Sequence, residues 1–265
     1  MTQCECEFCN RRKILGLRRI SIFSPNHKSM RVLVFDTETT GLPKRNASIT
    51  DSDAWPHIVQ WSWLVFDVKE ERIVSTSDYI IKLPGNLKIP EESTKIHGIN
   101  NNMMRTKGRL FKQVLTEFIS DYEMCDYLVA HNLEFDKKMV QVECFRHHLP
   151  VSYAWSNRAV TQYCTMKRTK SLCGMKGILK YGKNAGSPYI RYPKLSELHQ
   201  TLFKYSDLKN LHNSMMDVII CFRCFCVVVF EQDPFEYKKV VQQLSKEIID
   251  LYGTPYLRML NKLIQ

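Results

Sequence analysis

Residues 31–41 read RVLVFDTETTG, and no other stretch restricts the fold of this chain so sharply. Val32, Leu33, Val34 and Phe35 have the branched and aromatic make-up of a central strand buried on both faces. Side chains two apart on a strand share a face, so Asp36 and Glu38 project together from the end of this one. Two carboxylates placed so closely repel unless a cation neutralises them, and a divalent ion that takes oxygen ligands serves best. Thr39, Thr40 and Gly41 end the strand and let backbone approach a ligand. Acidic pairs are common on surface strands; the apolar lead-in and the TTG exit set this pair apart.

Residues 43–56 are polar and read as a loop. Segments 58–68 and 72–83 then read as two strands with a turn at 69–71, an antiparallel meander. The period changes after that. Phe111, Val114, Leu115, Phe118, Ile119 and Tyr122 fall on one helical face. Residues 127–130 form a further short strand, 134–147 a helix, and Leu195, Leu198 and Leu202 mark another short helix. From Asn213 a long helix carries Met215, Met216, Ile219, Ile220, Phe222 and Phe225; it is apolar nearly all round and therefore buried, and Pro234 should break it. Three strands followed by alternating helix and strand make an α/β fold with a mixed sheet.

The chain divides into an extension at 1–30, a main domain at 31–232 and a helical arm at 233–265. In the extension, Cys4, Cys6 and Cys9 precede Arg11, Arg12, Lys13, Arg18 and Arg19. A flexible basic tail is the expected reading; a nuclear address, or a zinc site with His27 that lacks a second ligand pair, are the alternatives. The arm carries a stripe of Tyr237, Val241, Leu244, Ile248 and Leu251, which either packs on its own domain, as we expect, or docks a polymerase or other partner. A net charge of +11 should attract polyanions, nucleic acid first. Ten scattered cysteines argue for a reducing compartment and against a disulfide scaffold. No signal-like segment opens the chain, and its longest apolar run, 225–230, is too short to span a bilayer. A soluble intracellular protein is expected, cytoplasmic or nuclear.

Two more acids stand in telling places. Asn132 and Asp136 lie four residues apart where strand 127–130 gives way to a helix, and His212 precedes Asp217 by five at the head of the buried helix. Asp136 also suits an ordinary first-turn acid, but an Asp inside an apolar helix is costly unless paired or metal-bound. Together these residues resemble the DnaQ-like 3′–5′ exonucleases with a catalytic histidine, the DEDDh group, on a ribonuclease H-like fold. DTETTG at 36–41, HNLEFD at 131–136 and the H-x4-D of 212–217 match the three motifs in order. STKIHGI at 93–99, CTM at 164–166 and PKLSELHQTLF at 193–203 match intervening pieces, so the resemblance covers roughly 31–232.

That resemblance implies a mixed five-stranded sheet flanked by helices, and two Mg2+ or Mn2+ ions held by Asp36, Glu38, Asp136 and Asp217. Asp36 would bridge the ions, Glu38 and Asp217 complete one site, and Asp136 support the second, partly through water. His212 would be the general base, Thr39 and Asn132 would touch substrate, and 5′-mononucleotides would leave from a 3′ end. Residues 167–194 carry eight Lys or Arg and no Asp or Glu, with Tyr181, Tyr189 and Tyr192 among them. Charges and rings of this kind hold phosphates and stack unpaired bases. The segment reads as a mobile loop whose Lys176, Lys180 and Lys183 bind single-stranded or frayed 3′ ends, unless it is merely a solvated basic loop. Cys221, Cys224 and Cys226 read as small core residues. DNA is the favoured substrate. An RNA-trimming enzyme of the same fold, or a nucleic-acid-binding polymerase accessory protein, are the alternatives.

Overall fold

The carboxylate strand lies at the centre of the sheet. This is a computed structural model, and it describes residues 29–155, 159–204 and 212–264. Cys4, Cys6, Cys9 and His27, with the readings attached to them, lie outside the described residues. In chain order the elements are β1 (Arg31–Thr39), β2 (Ile58–Asp67), β3 (Arg72–Ile80), α1 (Glu91–His97), α2 (Asn101–Lys107), α3 (Phe111–Glu123), β4 (Tyr127–Ala130) and α4 (Leu133–Arg146). There follow β5 (Thr161–Cys164), α5 (Thr165–Arg168), α6 (Lys170–Cys173), β6 (Lys176–Ile178), β7 (Pro188–Ile190) and α7 (Leu195–Phe203). The last are α8 (Ser214–Phe230), α9 (Lys238–Tyr252) and α10 (Thr254–Ile264).

The main sheet has the order β3-β2-β1-β4-β5. The meander pairs antiparallel, while β4 and β5 add parallel strands beyond β1. Alternation along β1 feeds two cores. Val32 and Val34 join Leu64, Phe66 and the apolar length of α8 on one face. Leu33 and Phe35 join Trp61, Trp63 and residues of α3 and α4 on the other, where Trp61 and Phe118 rings sit 4.6 Å apart. The expected mixed five-stranded α/β architecture is therefore present.

Several local expectations need correction. The carboxylate strand is not among them: β1 runs to Thr39, with Asp36 and Glu38 near its end, opposite Ser62 and Gln60. α8 stops at Phe230, where Glu231 turns left-handed (φ 60°), so the stop precedes Pro234. Residues 167–194 are not a loop throughout. They hold α6 and the β6–β7 hairpin, with Lys176 on Ile190 and Ile178 on Pro188. The arm is two helices divided at Gly253 (φ 75°), and it packs on its own core. The buried positions are Val240, Leu244, Ile248, Leu260 and Leu263, whereas Leu251 of the expected stripe is 42% exposed.

Two polar clasps fix that arm. Arg223, buried on α8, pairs with Asp233 at 2.6 Å, lies over the Phe203 and Phe235 rings and donates to the Leu263 carbonyl. The Gln243 side chain bonds both backbone groups of Ile73 on the edge strand, each at 3.0 Å. Cys221, Cys224 and Cys226 are buried free thiols, each pushed up by desolvation, as expected of core residues. No described helix is long and apolar enough to cross a membrane.

Candidate active site

Three carboxylates meet where β1 passes under the first turn of α8. Ligand oxygens of Asp36, Glu38 and Asp217 all lie within 4.8 Å of one another. Local sequence explains the meeting. Asp36 and Glu38 share the β1 face that α8 covers, and Asn213 caps α8 by accepting from the Met216 amide at 3.2 Å. That start puts Asp217 in the first turn, where the helix dipole favours an acid. The Ser214 hydroxyl donates to the Asp36 carbonyl at 2.7 Å, tying helix to strand.

Burial raises the Asp36 pKa to about 7, against a hydrogen bond from Ser214. Burial, then the charge of Asp36, raises Glu38 to about 8. Asp217 is also raised, by burial and then by Asp36, Glu38 and Asp136. No described ion pair with Lys, Arg or His relieves any of the three. An all-carboxylate set of mutually repelling, partly buried oxygens fits a hard divalent cation better than a thiolate-seeking one.

Asp136 approaches from the opposite layer. Its Oδ1 accepts from the Thr37 amide at 3.1 Å and the Thr37 hydroxyl at 2.8 Å. It is buried, and its pKa is raised by desolvation and then by Asp36. So three of the four expected acids converge, and the fourth faces the backbone of the strand that carries two of them.

His212 is exposed, two residues before α8, and among the described residues no hydrogen bond joins it to a carboxylate. It lies near His97, whose pKa is held to about 4 by burial and then by His212. His97 is fixed in turn by the Ile99 amide, which donates to its Nδ1 at 3.1 Å. The Thr39 hydroxyl donates to the Gly41 carbonyl at 2.7 Å. Asn132 is left-handed (φ 74°) at the start of α4 and its side chain makes no cap bond.

The segment after β1 is held rigidly. Thr40 and His57 exchange two hydrogen bonds of 2.9 Å. Arg146 then donates to the carbonyls of Ser52, Trp55 and Pro56 and to Glu143. On the far side, the hairpin is rooted beside the second motif. His131, kept neutral because burial lowers its pKa to about 4, donates from Nε2 to the Pro193 carbonyl at 3.1 Å. Arg191 grips Glu197 with two bonds of 2.7 and 2.5 Å. Lys176, Lys180 and Lys183 are exposed on that hairpin, and Tyr181 is 87% exposed.

Sequence reasoning passed over Gln60, Ser62 and Ser214. The signal was there: Gln60 and Ser62 are polar residues inside a strand that is buried at every position. Gln60 Oε1 accepts from the Ser214 amide at 3.2 Å, so the strand supplies an acceptor to the helix that carries Asp217.

A family model described as exonuclease matches residues 33–225. A search of curated proteins gives no match. Among solved structures, E. coli exonuclease I in complex with a dA16 oligonucleotide is similar at 16% identity and a TM-score of 0.53, over 86% of this chain and 42% of that one. The zinc-bound form of its complex with single-stranded DNA gives 17% and 0.55, over 85% and 46%. The complex with dT13 gives 16% and 0.53, over 87% and 45%. This chain therefore spans less than half the length of those structures, and the likeness is one of fold.

Proposed function

This chain belongs to the exonuclease family, the DnaQ-like 3′–5′ hydrolases of nucleic acid, and from that premise we propose that it removes 5′-mononucleotides from the 3′ ends of single-stranded or frayed DNA with two Mg2+ or Mn2+ ions. The observation that carries the proposal is the Asp36, Glu38 and Asp217 cluster, with its ligand oxygens within 4.8 Å and, among the described residues, no ion pair to a cationic side chain. Bound divalent ions supply charge neutralisation and water activation for phosphodiester cleavage. Asp36, Glu38 and Asp217 would hold the metal, with Asp136 supporting from across β1.

The remaining roles belong to the chain's own groups. His212 takes the proton of the attacking water through its imidazole, a role supported by its exposed position two residues before α8. Lys176, Lys180 and Lys183 hold phosphates, and Tyr181 offers a face to an unpaired base. Thr39 and Asn132 border the 3′ end. DNA is favoured over RNA by the single-stranded DNA oligonucleotides bound in complexes of the similar fold. A polymerase as docking partner of the arm has less support, since Val240, Leu244, Ile248, Leu260 and Leu263 pack into the chain's own core, although Ile249 and Leu251 stay exposed.

The test is direct. A 5′-labelled single strand, as matched DNA and RNA, should shorten stepwise in Mg2+, DNA faster, and stop when the 3′ end is blocked or the metal is chelated. Immediate release of the labelled 5′ nucleotide would refute the polarity, and faster loss of the RNA would refute the preference.

A further inference from the structure

The arm reaches the active site through one side chain. Tyr252, the last residue of α9, donates its hydroxyl to Asp78 Oδ2 at 2.5 Å and accepts from Gln60 Nε2 at 3.1 Å. Gln60 Nε2 also donates to Asp78 Oδ1 at 2.7 Å, and the Ser62 hydroxyl donates to that same oxygen at 2.5 Å. The Asn213 side chain hydrogen-bonds the Tyr252 hydroxyl as well. Gln60 and Ser62 stand opposite Glu38 and Asp36 in the β1–β2 register, so all these groups share the catalytic face of the sheet.

The chain of donors has a direction. A glutamine amide can present either oxygen or nitrogen to a neighbour, and its surroundings decide which. Asp78 and the Tyr252 hydroxyl both require donors from Gln60, which turns Oε1 toward the Ser214 amide. That amide opens α8 and has no acceptor within its own helix. A flipped Gln60 would set N–H against N–H at this point. Ser214 in turn holds the Asp36 carbonyl, and three residues on lies Asp217.

We propose that Tyr252 is a positioning residue of the catalytic centre: by fixing the Gln60 amide through Asp78 it sets the N-terminus of α8, and with it His212 and Asp217, against the carboxylate strand. The proposal rests on the exonuclease reading of that centre, and it assigns a catalytic contribution to an arm beyond the 33–225 family match.

Tyr252→Phe keeps the ring and its stack on Tyr256 (4.7 Å between centroids) while deleting the hydroxyl. Two readouts test it on the full chain. Amide hydrogen exchange over 212–217 should rise in the variant, and kcat on a single-stranded oligonucleotide should fall about tenfold with KM within about twofold. Combining Tyr252→Phe with Ser214→Ala should lower kcat no further than Ser214→Ala alone, as expected of one linked chain. Leu244→Ala, buried on the same helix without a polar link, should lower Tm more than Tyr252→Phe does and leave kcat unchanged. Unchanged exchange over 212–217 overturns the proposal, as does an unchanged kcat in an active enzyme. Exchange needs no turnover, so an inactive wild type would count against the exonuclease reading alone.

Discussion

At the scale of single residues, the three carboxylates are held in a state that disfavours their own charge. Their folded pKa values lie above ordinary carboxylate values, at about 7 for Asp36 and about 8 for Glu38. A raised folded pKa contributes stability below the unfolded value and loses it as pH climbs through the folded one. Without divalent metal, Tm should therefore decline between about pH 5 and 8, and Mg2+ should restore most at the alkaline end. Asp36→Asn in chelator at pH 8 should raise Tm by about 2–4 °C for each kcal/mol of relieved strain, while abolishing nuclease activity by on the order of 10³-fold or more. A flat melting profile with pH, or near-normal turnover by this variant, would remove the site assignment. His212→Ala should instead lower kcat by roughly 10²- to 10⁴-fold, with Mn2+ affinity and oligonucleotide binding retained. Loss of Mn2+ binding in that variant would show that the histidine holds structure or metal, and is no base.

At the scale of elements, the exposed lysines of the hairpin at 176–190 carry the proposed substrate grip. Replacing Lys176, Lys180 and Lys183 with Ala should raise KM and reduce the slope of log K against log salt by about one for each lost phosphate contact. An unchanged slope, measured by oligonucleotide binding at several ionic strengths, would return those lysines to solvent. Legibility also differed by element. β1, α3 and α8 were readable because each repeats its own period for long enough: Val32 to Phe35 as a buried run, Phe111 to Tyr122 at helical spacing, Met215 to Phe225 apolar all round. β5 offered no such signal. It is four residues long with Thr161 and Gln162 exposed, and its strand character comes from parallel pairing on β4. α1 and α2 are seven residues each, under two turns, too short for a period to register. The β6–β7 strands are three residues each, hidden among glycines and lysines that suit a loop equally well. Within the candidate site, the grouping of Asp36, Glu38 and Asp217 was legible but orientation was not. That Asp136 turns to Thr37, or that Gln60 presents oxygen to Ser214, depends on partners 99 and 154 residues away in the chain.

At the scale of the whole molecule, the arm closes a surface as well as bracing a centre. β3 ends the sheet, and such an edge can accept a strand from another copy of the chain. Its sequence, RIVSTSDYI, is rich in β-branched residues and has no net charge, Arg72 offsetting Asp78, the composition of a segment prone to self-pairing. Gln243 occupies both backbone groups of Ile73, and α9 lies along the strand. A chain ending at Glu236 should therefore form oligomers through β3, seen as high-mass species by light scattering, where the full chain stays monomeric. A monodisperse truncated protein would show that the edge is guarded by something other than α9. The glutamine at position 243 thus imitates a peptide group: it gives the outermost strand a neighbour of one residue, which has no further backbone to pass the ladder on.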